Sequence, residues 1–90
     1  MEFRIEAGRI WLNDTHGKTI AEVLFPDRGD GTVEVTHTFV DDSLRGQGVA
    51  GKLMEALAAE LRREGKRAVL TCSYAQSWFE KHCENADILA

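Results

Sequence analysis

The chain has 90 residues, is 43% hydrophobic and carries a formal charge of −4. That length supports one core and a single domain spanning residues 1–90, burying about 60–65% of the unfolded surface. The hydrophobic content excludes a disordered chain, and the negative balance argues against nucleic acid as a main partner, which calls for a basic face.

Two cysteines, Cys72 and Cys83, are too few for a disulfide framework and fit a reduced compartment. No apolar leader and no bilayer-length apolar run is read, so the expectation is a cytoplasmic chain without a membrane partner. The sequence leaves the oligomeric state open. His16, His37 and His82 are scattered, and Cys72 and Cys83 lack paired-ligand spacing, so no metal site is expected.

Residues 2–6 and 9–12 read as short strands broken at Ala7-Gly8. The turn-forming run Asn13-Asp14-Thr15-His16-Gly17 predicts a hairpin into a third strand over 19–25. Pro26-Asp27-Arg28-Gly29-Asp30-Gly31 closes that strand with strong turn chemistry. In a fourth strand over 33–40, Val33, Val35, His37 and Phe39 share one face, and Glu34, Thr36, Thr38 and Val40 share the other.

A long helix follows over 48–64. Ala50, Leu53, Met54, Leu57, Ala58 and Leu61 recur at i, i+3, i+4, i+7, i+8 and i+11, one helical face. Gly65 suits the left-handed residue after its end, with Arg62 and Arg63 favourable in its last turn. Residues 68–72 read as a fifth strand, parallel to the fourth because a helix crosses between them. Ser73-Tyr74-Ala75-Gln76 has the form of a capping box and predicts a second helix starting at Ser73, with Ala75, Trp78, Phe79 and His82 on its apolar side. The expected fold is α/β: a mixed sheet of four antiparallel strands plus a parallel fifth, with two helices.

Arg45-Gly46-Gln47-Gly48-Val49-Ala50 is the most informative stretch. Glycines strip side chains from the backbone where the helix start exposes unpaired N–H groups. Such a terminus carries an effective charge of about +0.5 and attracts phosphate, and Arg45 adds a full positive charge. The turn lies at the carboxyl end of strand four, beside that of strand five, where open α/β sheets place their ligands.

Strand, R-x-x-G-x-A, helix, strand, helix resembles the core of the Gcn5-related N-acetyltransferase superfamily, without its usual first two helices or final strands. Within it the chain is similar to the compact YjdJ-like or NATD1-like subgroup through His37-Thr38, Cys72-Ser73-Tyr74, Lys81-His82 and Ala86-Asp87. The resemblance implies an acetyl-CoA-dependent N-acetyltransferase acting on an amine of unknown identity, the alternative being a non-catalytic acyl-CoA-binding or sensing module. It assigns the coenzyme A pyrophosphate to Arg45, Gly46, Gln47, Gly48, Val49 and Ala50, and the acyl carbonyl to a backbone N–H near Phe39 or Val40. Departures are Leu70-Thr71 where the subgroup has a proline before the cysteine, Cys83-Glu84-Asn85 in place of Pro-Glu-Tyr, and Phe79 at the position that best matches a tyrosine acid of larger relatives.

Acetyl transfer needs a polarised thioester carbonyl, a neutral amine and protonation of the leaving thiolate. His37 reads either as the base, since imidazole changes charge near neutral pH, or as a hydrogen-bonded strand histidine. Glu34, at odd spacing from His37, falls on the opposite face and reads as a solvated strand residue. Cys72, ahead of a helix N-terminus, reads as proton donor, substrate contact or transient acyl carrier, against the plain reading of a small buried hydrophobe. Tyr74 reads either as a contact to the acyl or pantetheine region or as helix packing.

Overall fold

A computed structural model describes residues 2–90. In chain order it contains β1 (Arg4–Glu6), β2 (Arg9–Asn13), β3 (Thr19–Leu24), β4 (Thr32–Val35), β5 (His37–Val40), α1 (Val49–Glu64), β6 (Arg67–Leu70) and α2 (Ser73–Lys81). Short 3-10 turns occupy Asp42–Leu44 and Cys83–Ile88. Four strands form an antiparallel sheet in the order β1-β2-β3-β5, and β4 and β6 form a separate parallel pair. This is the expected mixed α/β architecture, with one addition: the fourth strand is divided between the two sheets.

The division is a β-bulge. His37 is the register partner of Leu24, yet the Thr36 amide also donates to the Leu24 carbonyl, so two residues oppose one. The extra residue resets the alternation of faces. Val33 and Val35 are buried before it, whereas His37 and Phe39 are exposed after it. The expectation that His37 shares a face with Val33 and Val35 is therefore wrong. The bulge also moves His37 onto the outer face with Glu34, which strict alternation had placed opposite it.

The hairpin over Asn13 to Gly17 forms around Asp14, whose carboxylate accepts from the amides of His16 and Lys18. Helix α1 buries Val49, Leu53, Met54, Leu57, Ala58 and Leu61. Val49 takes the place expected of Ala50, which is only half-buried. Gly65 ends the helix in the left-handed conformation at φ 69°, its amide bonding the carbonyls of Arg62 and Leu61.

Helix α2 starts at Ser73, as expected, but it is capped differently. Its N-cap is Cys72, not Ser73, and the Gln76 side chain donates to the Leu70 carbonyl instead of closing a capping box. Ala75, Trp78 and Phe79 are buried. His82 stacks on Trp78 with ring centroids 3.9 Å apart and donates from Nδ1 to the Trp78 carbonyl at 2.8 Å.

The last residues pack back on the body. Arg62 of α1 grips Asp87 and Asn85 at 2.8 Å, Ile88 is buried, and the Ala90 amide bonds the Ala68 carbonyl. No helix among the described residues is long and apolar enough to cross a membrane.

The two helices meet where Gly51 faces Trp78. A Cβ at position 51 would lie 3.3 Å from the indole Nε1. Gly51→Leu should lower stability by about 1–2 kcal/mol net, because overpacking costs about 1–3 kcal/mol while leaving glycine returns under 1 kcal/mol to the helix. Urea unfolding followed by tryptophan fluorescence measures this, and an unchanged midpoint would mean that α2 yields freely.

Candidate functional site

Beyond Val35 the strands part. The amides of Thr71 and Cys72 both donate to the Val35 carbonyl, at 3.1 and 3.0 Å. That is the last backbone link between β4 and the chain leaving β6 among the described residues. Past it, β5 turns to pair with β3 while the chain from β6 runs into α2.

Which amides face the opening follows from strand alternation. The Asp41 amide bonds the Ile20 carbonyl across β3, so Phe39 and His37, at the same phase, also turn their amides to β3. Thr38 and Val40 turn theirs to the open edge. Of the two positions expected to offer an amide to an acyl carbonyl, Val40 faces the splay and Phe39 does not. The Phe39 ring is 38% exposed on the outer face.

Cys72 sits in the splay. Its thiol donates to the Thr38 hydroxyl at 3.5 Å, and as N-cap it faces the first turn of α2, though without a regular capping bond from its side chain. Burial pushes the thiol pKa up, but the Thr38 hydroxyl and the amides of Ala75, Tyr74 and Thr38 outweigh it, so the net shift is downward. Tyr74 is shifted the other way, by burial first and then by the negative charge of an ionised Cys72. Its phenol therefore keeps its proton. Cys83 is exposed and its thiol meets the Glu80 carbonyl, within its own stretch of chain.

The turn after β5 is built by Asp41, whose carboxylate accepts from the Ser43 amide and hydroxyl. Those two bonds, hydroxyl before amide, hold its pKa below the usual carboxylate range. Gly46 at φ 81° and Gly48 at φ 70° then take left-handed conformations. A Cβ on either would meet open space. Internal packing does not demand glycine at either position; the backbone turn does, and it leaves the approach to the helix start bare. The first intrahelical bond runs from the Lys52 amide to the Gly48 carbonyl, leaving the amides of Val49, Ala50 and Gly51 without helical acceptors. Arg45 reaches Asp42 at 2.9 Å, with both side chains largely exposed. Such a surface pair contributes under about 1 kcal/mol and gives way readily to a stronger anion.

The structure thus brings Cys72, Thr38 and Tyr74 together at the splay, with the Val40 amide on the same open edge, and sets the turn from Arg45 to Ala50 directly after β5. His37 stands apart, on the outer face of the same strand. Phe79 is 3% exposed, within the core. Thr38 was missed as a site residue. Its signal was the adjacent apolar pair Phe39-Val40, which cannot both face inward and so marks a change of phase in the strand. Surface concavities elsewhere, one of about 340 Å³ lined by Ala7, Phe25, Val33 and Glu64 among others, lie at the carboxyl end of α1, away from the splay.

A parallel strand pair that opens beside an antiparallel sheet, with a glycine turn leading into the crossover helix, defines a mixed α/β domain with a splayed strand edge. The chain belongs to the GCN5-related N-acetyltransferase family, whose model matches residues 9–88. It is 34% identical over 71 residues to Protein NATD1 of Xenopus tropicalis, covering 79% of this chain. The chain spans 63% of that relative's length.

Among solved structures, a GCN5-like protein from Staphylococcus aureus superposes with a TM-score of 0.82 at 26% identity, over 99% of this chain and 87% of that one. A GNAT family acetyltransferase from Elizabethkingia anophelis with acetyl-CoA bound shares the fold at a TM-score of 0.62 and 14% identity, over 83% of this chain and 51% of that one.

The lowered thiol pKa gives a direct expectation. In a pH series of iodoacetamide labelling read by site-resolved mass spectrometry, the midpoint for Cys72 should fall below the roughly 8.5 of a free thiol. A midpoint at or above that value would show that burial dominates at this sulfur.

Proposed function

We propose that this protein is an acetyl-CoA-dependent N-acetyltransferase that moves an acetyl group to an amine by direct attack on the thioester. The observation that carries the reading is the splay itself: one open strand edge holds a free amide and a tuned thiol, and runs straight into a bare, amide-rich glycine turn. Membership of the family supports it, as does the shared fold of a relative holding acetyl-CoA.

The residues present fit the donor. The open space at Gly46 and Gly48 and the unpaired amides at the start of α1 suit a pyrophosphate, with Arg45 released from Asp42 to meet its charge. Gln47, Val49 and Ala50 contribute backbone to the same turn. Acetyl-CoA supplies the activated acyl group. The Val40 amide is aimed along the open edge, where it would stabilise negative charge growing on the acyl oxygen.

His37 and Cys72 take separate proton duties. His37, exposed on the outer face and apart from the splay, would receive the proton of the attacking amine through intervening water. Cys72 would give its proton to the departing thiolate, a favourable transfer because its own pKa is lowered. Tyr74, kept protonated at the mouth of the splay, would donate a hydrogen bond to the acyl or pantetheine region.

The second reading, a non-catalytic acyl-CoA-binding or sensing module, draws on one observation: Phe79 stands in the core where larger relatives carry a tyrosine acid. Mass spectrometry with acetyl-CoA and a panel of amines and peptides separates the two, since only the enzyme yields an acetylated acceptor.

Acetyl-CoA at a hundred times its Kd should stabilise the fold by about 2.7 kcal/mol and raise Tm accordingly. Gly48→Glu should abolish the ligand-dependent part of that shift, whatever its own cost at φ 70°, by placing a carboxylate in the anion site. An equal ligand shift in the variant would sink the assignment.

His37→Gln should lower kcat by roughly 10²–10⁴-fold with little change in the acetyl-CoA-dependent Tm shift. Unchanged kcat in a folded variant would make His37 a surface residue only.

A further inference from the structure

We infer that Thr38 is the positioning residue of the splay, holding the Cys72 sulfur on the open edge of β5. The inference rests on the proposed role of Cys72. Three features of position 38 carry it. It follows the bulge, so its amide turns to the open edge and not to β3. Its side chain lies on the inner, half-buried face of β5, opposite His37 and Phe39. Its hydroxyl is 3.5 Å from the Cys72 sulfur.

A hydroxyl suits this position because it both donates and accepts. While Cys72 is protonated, the S–H donates to Thr38 Oγ1. Once the proton has left, the Thr38 O–H can rotate and donate to the thiolate, joined by its own backbone N–H. One residue thus serves both protonation states without moving the chain. No charged side chain among the described residues contributes to the shift of the Cys72 thiol. From α2 the titratable neighbour is Tyr74, which stays neutral. From β4, Glu34 accepts from the Thr71 hydroxyl at 3.0 Å. From β5, His37 points to the outer face.

The test is iodoacetamide labelling of Cys72 against pH, read by site-resolved mass spectrometry, in the unmutated protein and in Thr38→Val, Thr38→Ala and Thr38→Ser. Removing the hydroxyl with Val or Ala should move the labelling midpoint up by about one pH unit, roughly tenfold less thiolate at a given pH, the scale of one hydrogen bond to a charged group. Thr38→Ser should restore the original midpoint. Two hydroxyl-free variants of different shape are used so that a folding failure of one leaves the comparison intact.

A midpoint in the folded Val or Ala variant equal to that of the unmutated protein would overturn the inference, as would a serine variant that behaves like alanine. Adding acetyl-CoA to the same series separates this from the proposed function. Slower labelling of Cys72 in its presence supports the donor site. A Thr38-dependent midpoint without any such protection keeps the role of Thr38 and removes the acetyl-CoA reading. Protection without a Thr38-dependent midpoint does the reverse.

Discussion

A single extra residue governs this molecule. With Thr36 and His37 both set against Leu24, one run of chain serves two sheets, parallel to β6 before the bulge and antiparallel to β3 after it. Everything that could do chemistry depends on that change of partner. It opens the edge of β5, directs the amides of Thr38 and Val40 into the opening, and sends His37 to the far side. A regular strand would have zipped the edge shut against β6. It would also have left the two amides spent on backbone hydrogen bonds.

The splay persists because both arms are anchored elsewhere. Val33 and Val35 lock β4 into the core, together with Ala68 on β6. Ala21 and Val23 on β3 hold the other sheet against α1. Helix α1 touches both halves, and α2 is pinned to it through the contact of Trp78 with Gly51. The position of Cys72 is then fixed from two directions, by the Val35 carbonyl on its amide and by the start of α2 beyond it. A thiol held this way pays little entropy on meeting a ligand, which is the ordinary meaning of preorganisation.

Much of this was legible in the sequence because it rests on local rules. The long helix follows from its apolar spacing, its end from Gly65, and the hairpin from Asp14 and Gly17. The glycine turn is readable because positive φ and bare backbone leave few alternatives to glycine. The bulge was not legible from alternation, because Thr36, His37 and Thr38 are compatible with either face of a strand. Only the adjacency of Phe39 and Val40 betrayed a phase shift, and adjacency alone does not say which residue turns inward. The cap of α2 was misplaced for a related reason. Serine is the better intrinsic N-cap, but the chain leaving β6 is still tied to Val35 through the Cys72 amide, and tertiary pairing put Cys72 in the cap while the helix itself still begins at Ser73.

The clamp of Arg62 on Asn85 and Asp87 has a consequence for solution behaviour. By seating Ile88 it lays Leu89 and Ala90 along Ala68, on the side of β6 that faces away from β4. An uncovered strand there would be a template for another chain. At the opposite margin, β1 is only three residues long and carries Arg4 and Glu6, which blunts it by shortness and charge. One outer margin of the sheet is thus covered by the chain's own last residues and the other is kept short and charged. The inner gap at Thr38 and Val40 turns out only two amides, one of them toward the Cys72 sulfur, too few to nucleate a foreign strand. Little backbone is therefore left exposed at the margins, and what is left lies in the splay.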